Sequence, residues 1–479
     1  MTRPERIQAN HPQVDDPKNG QGPASVIRTY LVITGLYTLS ASLIWGINTL
    51  FLLDAGLDIF GVFIANGIFT ASMSIFEIPT GVWADSRGRR SSFLLSVVIV
   101  FAGTLGYVAT AAIGGGLLLF SLMSVLLGLG FTFYSGAVEA WLVDALRATG
   151  YSGQLDRVFA RASMVSGAAM LTGTLSGGVL GSLNLAAPFL VRAGLLIAVF
   201  AIAFLAMHDL GFSPRALRLT TLPTEMRAIA RASITYGWHV RTVRLLTMLS
   251  FVQMVFLAWG FHVWQPYFLE LLGREAVWVA GVIAALVGLA TMTGNAIVEW
   301  FARNCGKRTT LLISAAGVFS LAAIGIGLVG SFWMAVGLFL LVMASVGVLR
   351  PVKQAYLHQV IPTEQRATII SFDSLVANGG GMVGQIGLGY LAHTRSIAFG
   401  YVVGGITTLL ALPIVAVLRR LGERSDIIIG TAGSRGGCGG QGLPDISSLD
   451  TTPRTTTEYV DKGQKTGNVV ITVEHNDKT

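Results

Sequence analysis

From about Tyr30 to about Val417 the chain alternates apolar runs of roughly 20 residues with short polar breaks, the length an α-helix needs to cross a bilayer's hydrocarbon core. The pattern predicts an all-α membrane protein with twelve transmembrane helices. They fall at 30–53, 58–82, 91–112, 117–143, 159–182, 186–208, 245–267, 276–299, 309–329, 332–356, 368–392 and 397–418. The longest internal break, 209–244, divides them six and six. Residues 1–29 read as a polar arm, 30–208 and 245–420 as two helical bundles, and 421–479 as a disordered tail. Within that tail 430–442 is rich in Gly and 447–457 in Ser and Thr, while NVVITVEH (468–475) has strand propensity but is too short to fold alone.

The halves echo each other. GRRSSFLLS (88–96) and GKRTTLLIS (306–314) both lie between the second and third span of a half, so the bundles are expected to be pseudo-symmetric. Basic residues gather at alternate breaks: Arg87, Arg89 and Arg90; Arg147, Arg157 and Arg161; Arg303, Lys307 and Arg308; Lys353 and Arg366; Arg419 and Arg420. The other breaks carry chiefly Arg274 and Arg395. By the positive-inside rule both termini are cytosolic, as in a multi-pass protein of the cell membrane. Residues 224–238 read either as an amphipathic helix on the inner leaflet or as a plain basic linker.

Composition narrows the class. Of 479 residues 53% are hydrophobic and only 12% charged, against about a quarter charged in soluble proteins. The net charge of +8 follows topology and is no nucleic-acid footprint. Cys305 and Cys438 lack metal-ligand spacing, and no phosphate-binding loop, H-E-x-x-H or G-x-S-x-G occurs. Neither an enzyme nor a cofactor or metal is expected; the partners are a small-molecule substrate, protons and the lipid bilayer, with the chain acting as a monomer.

The most informative stretch is GVWADSRGRR (81–90), a tight basic turn between the second and third spans. Gly81 leaves room for a neighbouring helix, Asp85 can accept from free N–H groups at a helix start, Gly88 permits the reversal, and Arg89 and Arg90 reach lipid phosphates. The pattern G-x-x-x-D-x-x-G-R-R resembles the signature loop of the major facilitator superfamily, with Ser86 where the family usually has a basic residue. The resemblance covers about 30–420 and implies alternating access between two bundles. It also implies that Asp85 meets the start of the eleventh span near Ala367. Asp144, in AWLVD, would be the acidic partner of the loop arginines. Gly81, Asp85, Arg87, Gly88, Arg89, Arg90 and Asp144 would then latch the outward-open state; the alternative is a solvated topological anchor. EIPTGVWAD, IPTEQRATIISF and the glycines Gly167, Gly173, Gly177, Gly178 and Gly181 resemble efflux-type, drug–proton antiporter-like members. The usual Gly-Pro pair of the fifth span is absent, and Ser176 precedes Gly177.

Carboxylates inside apolar spans cost about 2.5–3.5 kcal/mol at a helix centre, so they mark either a partner or a task. Glu139 is the first candidate for proton coupling or substrate contact; a structural ion pair with Arg157 or Arg161 is the alternative. Glu77 and Asp373, also coupling candidates, sit nearer the interface and fit the latch or a helix cap better than coupling. Arg192 and Arg350 are buried arginines that could meet an anionic substrate or balance a carboxylate. Trp45, Asn48, Tyr134, Gln253 and Gln265, with Trp264, complete the candidate cavity lining, or else serve packing and the interfacial belt. The expected function is proton-coupled efflux of a small organic compound. The alternatives are an importer of a small metabolite and a non-transporting sensor with the same fold.

Overall fold

The computed structural model describes residues 22–212, 238–273, 277–303, 306–361 and 366–428. The first span is α1 (Pro23–Trp45) followed by the short α2 (Asn48–Asp54), and the second and third are α3 (Ile59–Arg87) and α4 (Arg89–Ala112). The fourth is α5 (Gly116–Tyr134) with α6 (Ala137–Ala148); the fifth and sixth are α7 (Leu155–Leu183) and α8 (Ala187–Ala206). The second half repeats the order with α9 (Arg241–Leu272), α10 (Val277–Arg303), α11 (Arg308–Leu328), α12 (Phe332–Val360) and α13 (Arg366–Thr394). Its last span is α14 (Ile397–Thr408) with α15 (Ala411–Arg420).

Among the described residues 11 stretches are long and apolar enough to cross a membrane. The twelfth, α13, has 29 residues but falls short on hydropathy because it carries Asp373, Asn378 and Gln385. It can be polar because it packs against α3, α9 and α14 instead of facing lipid all round.

The expected spans hold, with three kinds of correction. Helix α1 begins at Pro23, inside the expected polar arm, and already buries Val26 and Tyr30. Spans one, four and twelve are each broken, span one near its far end, after 23 of its helical residues and before the last 7. The expected tail is folded at its start, where Gly306–Lys307 pairs antiparallel with Ile427–Ile428. The central segment 213–237, Cys305, Cys438 and 429–479 lie outside the described residues, as therefore does most of the helix expected at 224–238.

Each half has its own core, built around Phe93, Trp141 and Leu142 in the first and Trp259, Phe268, Phe339 and Tyr401 in the second. In lipid, close packing replaces the hydrophobic drive between helices, and glycines supply it here. A Cβ at Gly177 would run into the Leu43 carbonyl of α1, one at Gly384 into the Val255 carbonyl of α9, and one at Gly347 into the Thr291 carbonyl of α10. The halves meet chiefly through α7 on α10 and α3 on α13, with Gly178 backbone against Gly281 in the first of these.

One end of the molecule, the basic end, carries the basic turns. There the pseudo-symmetry extends to side chains. Asp209, just past α8, accepts the Arg90 N–H at 2.8 Å at the start of α4. Asp426, just past α15, accepts the Thr309 N–H at 2.8 Å at the start of α11. A carboxylate on the free N–H groups of a helix start is favoured by both hydrogen bonding and the helix dipole.

Candidate functional site

The cavity forms where span four breaks. Ser135 leaves helical geometry and Gly136 takes φ +75°, a left-handed conformation that glycine adopts without strain. The chain restarts as α6, so Glu139 lies in its first turn, where free N–H groups favour an anion. Around it Tyr30, Thr34 and Thr38 of α1, Tyr134 of α5, and Phe159, Ala162, Ser163 and Ser166 of α7 enclose a cavity of about 220 Å³. Tyr134 is held by stacking on Tyr37, ring centroids 4.0 Å apart and 12° off parallel, and Tyr30 meets Phe159 edge-on at 6.5 Å. Glu139 is exposed to this space. The alternative, an ion pair with Arg157 or Arg161, is not formed: at 100° per residue both leave α7 on the side away from Phe159, Ser163 and Ser166.

At the opposite end the halves are joined through a second helix break. Between α1 and α2 the bond expected from the Thr49 N–H to the Trp45 carbonyl, four residues back, is replaced by a side chain of the other half. Gln265 Nε2 donates to the Trp45 carbonyl at 2.8 Å, and its Oε1 accepts the Thr49 N–H at 3.0 Å. The amide thus inserts into the backbone ladder of the first span, and Gln265 is only 1% exposed. Pro266 follows it inside α9. Around this clasp Trp45 meets Phe261 at 6.3 Å and Phe63 meets Trp259 at 5.9 Å. Further out, His393 lies 3.5 Å from Asp58.

Toward the middle Thr70 bonds Gln385 and Asn378 bonds Ser74. Beyond that level α3 and α13 part: Gly81 and Trp83 are exposed, and a Cβ at Gly81 would meet nothing within 4 Å. The neighbouring helix expected at Gly81 is therefore not against it in this state. Asp85 bonds Arg89 at 2.7 Å, one turn along, and Asp144 forms no ion pair among the described residues. Arg87 lies over the Trp83 ring at 5.6 Å. Arg90 donates to the Phe204 carbonyl at 2.7 Å and covers that ring at 5.2 Å. Gly88, at φ +103°, has its missing side chain's place taken by the Asp209 carboxylate. Burial raises the Asp209 carboxyl above its ordinary range, against the pull of the Arg90 and Arg89 N–H groups and guanidinia.

The second half holds a buried charge cluster. Lys353 Nζ lies 2.6 Å from Asp373 Oδ2, the Ser250 hydroxyl donates to Asp373 Oδ1 at 2.6 Å, and Lys353 also donates to Ser250. The cluster ties α9, α12 and α13 together. Lys353, expected at a polar break, is thus inside a helix that runs on to Val360. Arg350, expected to be buried, is exposed on α12. Arg192 is partly buried with its Nε unbonded. Gln253 has an unbonded buried Nε2. Asn48 opens α2, and Glu77 is exposed on α3 without an ion pair among the described residues. Sequence reasoning missed Asp209, Asp426, Lys353 and Ser250. The only cue it had was that an apolar span seldom keeps a lone Asp373 without a partner.

A two-bundle helical membrane protein, joined at one end and parted at the other around a polar recess beside a broken helix, is a transporter of the alternating-access kind in build. The chain belongs to the Major Facilitator Superfamily, whose model matches residues 30–319 and 279–434. It is 23% identical over 391 residues to an uncharacterized MFS-type transporter, YxaM, of Bacillus subtilis, covering 78% of this chain and 90% of the relative. Among solved structures it resembles the nucleoside transporter NupG, with a TM-score of 0.68 at 10% identity over 82% of this chain and 99% of that one. A D-xylose–proton symporter superposes with a TM-score of 0.59 at 16% identity, over 82% and 97% of the two chains. At such identities these structures share the fold.

Proposed function

We propose that this transporter exports a small organic compound from the cytosol across the cell membrane, with protons moving inward through the same cavity by alternating access. The observation that carries the reading is Glu139: a carboxylate exposed to an intramembrane cavity, at the start of a half-helix, with no ion-pair partner among the described residues. Such a group can hold a proton or a cationic group but not both, which is what exchange requires. Broken helices whose ends point at a substrate are a recurrent device of secondary transporters.

The gathering of basic turns at that end supports a reading in which it lies in the cytosol. Tyr30 and Phe159 lie within two turns of the basic ends of α1 and α7, so the cavity belongs to the half of the membrane where α3 and α13 part. The state described is then open to the cytosol and shut on the outside by the Gln265 clasp. In the outward-open state the released Asp85 would meet the start of α13, which makes the 81–90 turn a latch for that state.

Glu139→Gln tests the reading in proteoliposomes. Accumulation of compound against its gradient, driven by an imposed proton gradient, should be lost, while gradient-free exchange of labelled for unlabelled compound persists. Wild-type accumulation in that variant would remove Glu139 from the coupling mechanism.

A further inference from the structure

Among the described residues, two charges set within the spans, one in each half, take part in no ion pair. Glu139 is one. The other is Arg350, which among the described residues takes part in no ion pair. Its direction follows from the helix it sits on. On α12, Gly347 packs on Thr291 and Gly294 of α10, and Lys353 reaches Ser250 of α9 and Asp373 of α13. Arg350 is midway between these residues, so its side chain leaves α12 on the arc between the two contacts.

Leu341, directly opposite on the helical wheel, is 45% exposed and marks the lipid side. On the same arc as Arg350, but toward the closed end, Phe339 and Met343 are buried, with Phe339 against Trp264 at 5.8 Å. Arg350 therefore faces the space between the halves, at a level where that space is open. Its depth matches that of Glu139. Glu139 lies nine residues before the end of α6 at Ala148, and Arg350 ten before the end of α12 at Val360. These helices are equivalent in the two halves.

An unpaired charge within the bilayer is expensive, and here one half supplies an anion and the other a cation at one depth. A ligand bearing both charges would satisfy both walls. We propose that the cavity takes a zwitterion, with its ammonium on Glu139, its acidic group on Arg350, and its apolar body against Tyr30, Tyr134 and Phe159. The first-half recess, about 220 Å³, is smaller than the roughly 300–1,000 Å³ of pockets that enclose drug-sized ligands, so it takes only the compact body of a small ligand. Such a ligand bridges the bundles and draws them together at the basic end, so occupancy itself favours closure there. Protonation of Glu139 from the other side then releases the ammonium. This rests on the reading of the Glu139 cavity as the substrate path.

The test measures binding to purified protein at fixed pH with no gradient, so a failure of proton coupling would leave the result standing. The probes are matched trios on one body: 2-phenylethylamine, 3-phenylpropionate and phenylalanine, and the corresponding indole and branched-alkyl sets. In at least one trio the zwitterion should bind roughly 10- to 100-fold tighter than either singly charged member, the loss expected for one charge-assisted contact. Glu139→Gln should then narrow the gap to the acid, and Arg350→Gln the gap to the amine. If a singly charged member binds as tightly as the zwitterion in every trio, the proposal is overturned. It is equally overturned if no zwitterion binds, as it would be if Glu139 and Arg350 simply pair with each other on closure. These outcomes are read on the wild type and do not depend on either variant folding.

Discussion

Replacing Gln265 by leucine keeps most of its volume and removes both polar atoms from the clasp. Two buried hydrogen bonds disappear, each contributing about 0.5–1.5 kcal/mol net, and they exist only while the halves are shut at that end. The loss of about 1–3 kcal/mol is partly offset. The Trp45 carbonyl and the Thr49 N–H are natural helix partners, and with the amide gone they can bond each other instead of staying orphaned. The net shift should therefore fall in the lower part of that range, roughly 5- to 10-fold toward the state open at this end. Spin labels at Asp54→Cys and Arg395→Cys would report the clasped end, and labels at Arg147→Cys and Arg420→Cys the basic end. Pulsed electron resonance on Gln265→Leu should show longer distances in the first pair and shorter ones in the second. Distance distributions identical to those without the leucine would refute the idea that the clasp holds this end shut.

Other consequences can be checked on purified protein. Lys353→Met or Asp373→Asn alone should lower unfolding stability by about 3 kcal/mol, since either leaves a buried partner uncompensated. The double variant Lys353→Met with Asp373→Asn should recover much of that loss, and simple additivity would contradict the pairing. Gly178→Ala should loosen the α7–α10 interface, because a Cβ there meets the Gly281 backbone. About 1–3 kcal/mol of overpacking should be visible as a bias toward opening in the same spin-label distances. For Asp209 the sign is set by burial: its carboxyl is raised above the ordinary 3.8, so ionising it costs the fold. Its contribution is fully present below that value and is lost as pH rises through the shifted one. The stability of wild type relative to Asp209→Asn should accordingly increase as pH falls through this window in thermal unfolding, and a decrease would reverse the assignment.

The parts that the sequence made legible are those governed by local pattern. Runs of apolar residues long enough for lipid reveal the spans, and the alternation of basic turns reveals which ends lie together. Even α13 was readable, although its hydropathy is low, because its polar residues are spaced within an otherwise apolar run. The helix breaks were not legible: Gly46–Ile47, Ser135–Gly136 and Leu409–Leu410 lie inside runs that carry no proline or charge cluster at the break itself. Nor was the role of Gln265, since its partners are backbone groups made available only by one of those breaks. Asp209 and Asp426 looked like ordinary acids in polar loops. Their work depends on the end of a sixth span returning to the start of a third, more than a hundred positions away in sequence. Lys353, near the end of the expected span 332–356, resembled another basic residue at a break because its partners, Asp373 and Ser250, lie on two other helices. Glu139 and Arg350 stood out for the opposite reason, as charges that an apolar span does not keep without cause.

The central claim, exchange of an organic compound for protons through the Glu139 cavity, is tested most directly by proton flux in inside-out vesicles. Drugs, sugars, amino acids and organic anions are added one at a time to vesicles holding an imposed proton gradient. The account predicts proton release triggered by one chemical class in wild-type vesicles and absent with Glu139→Gln. No proton movement with any compound, in protein shown to be folded and inserted, would contradict it.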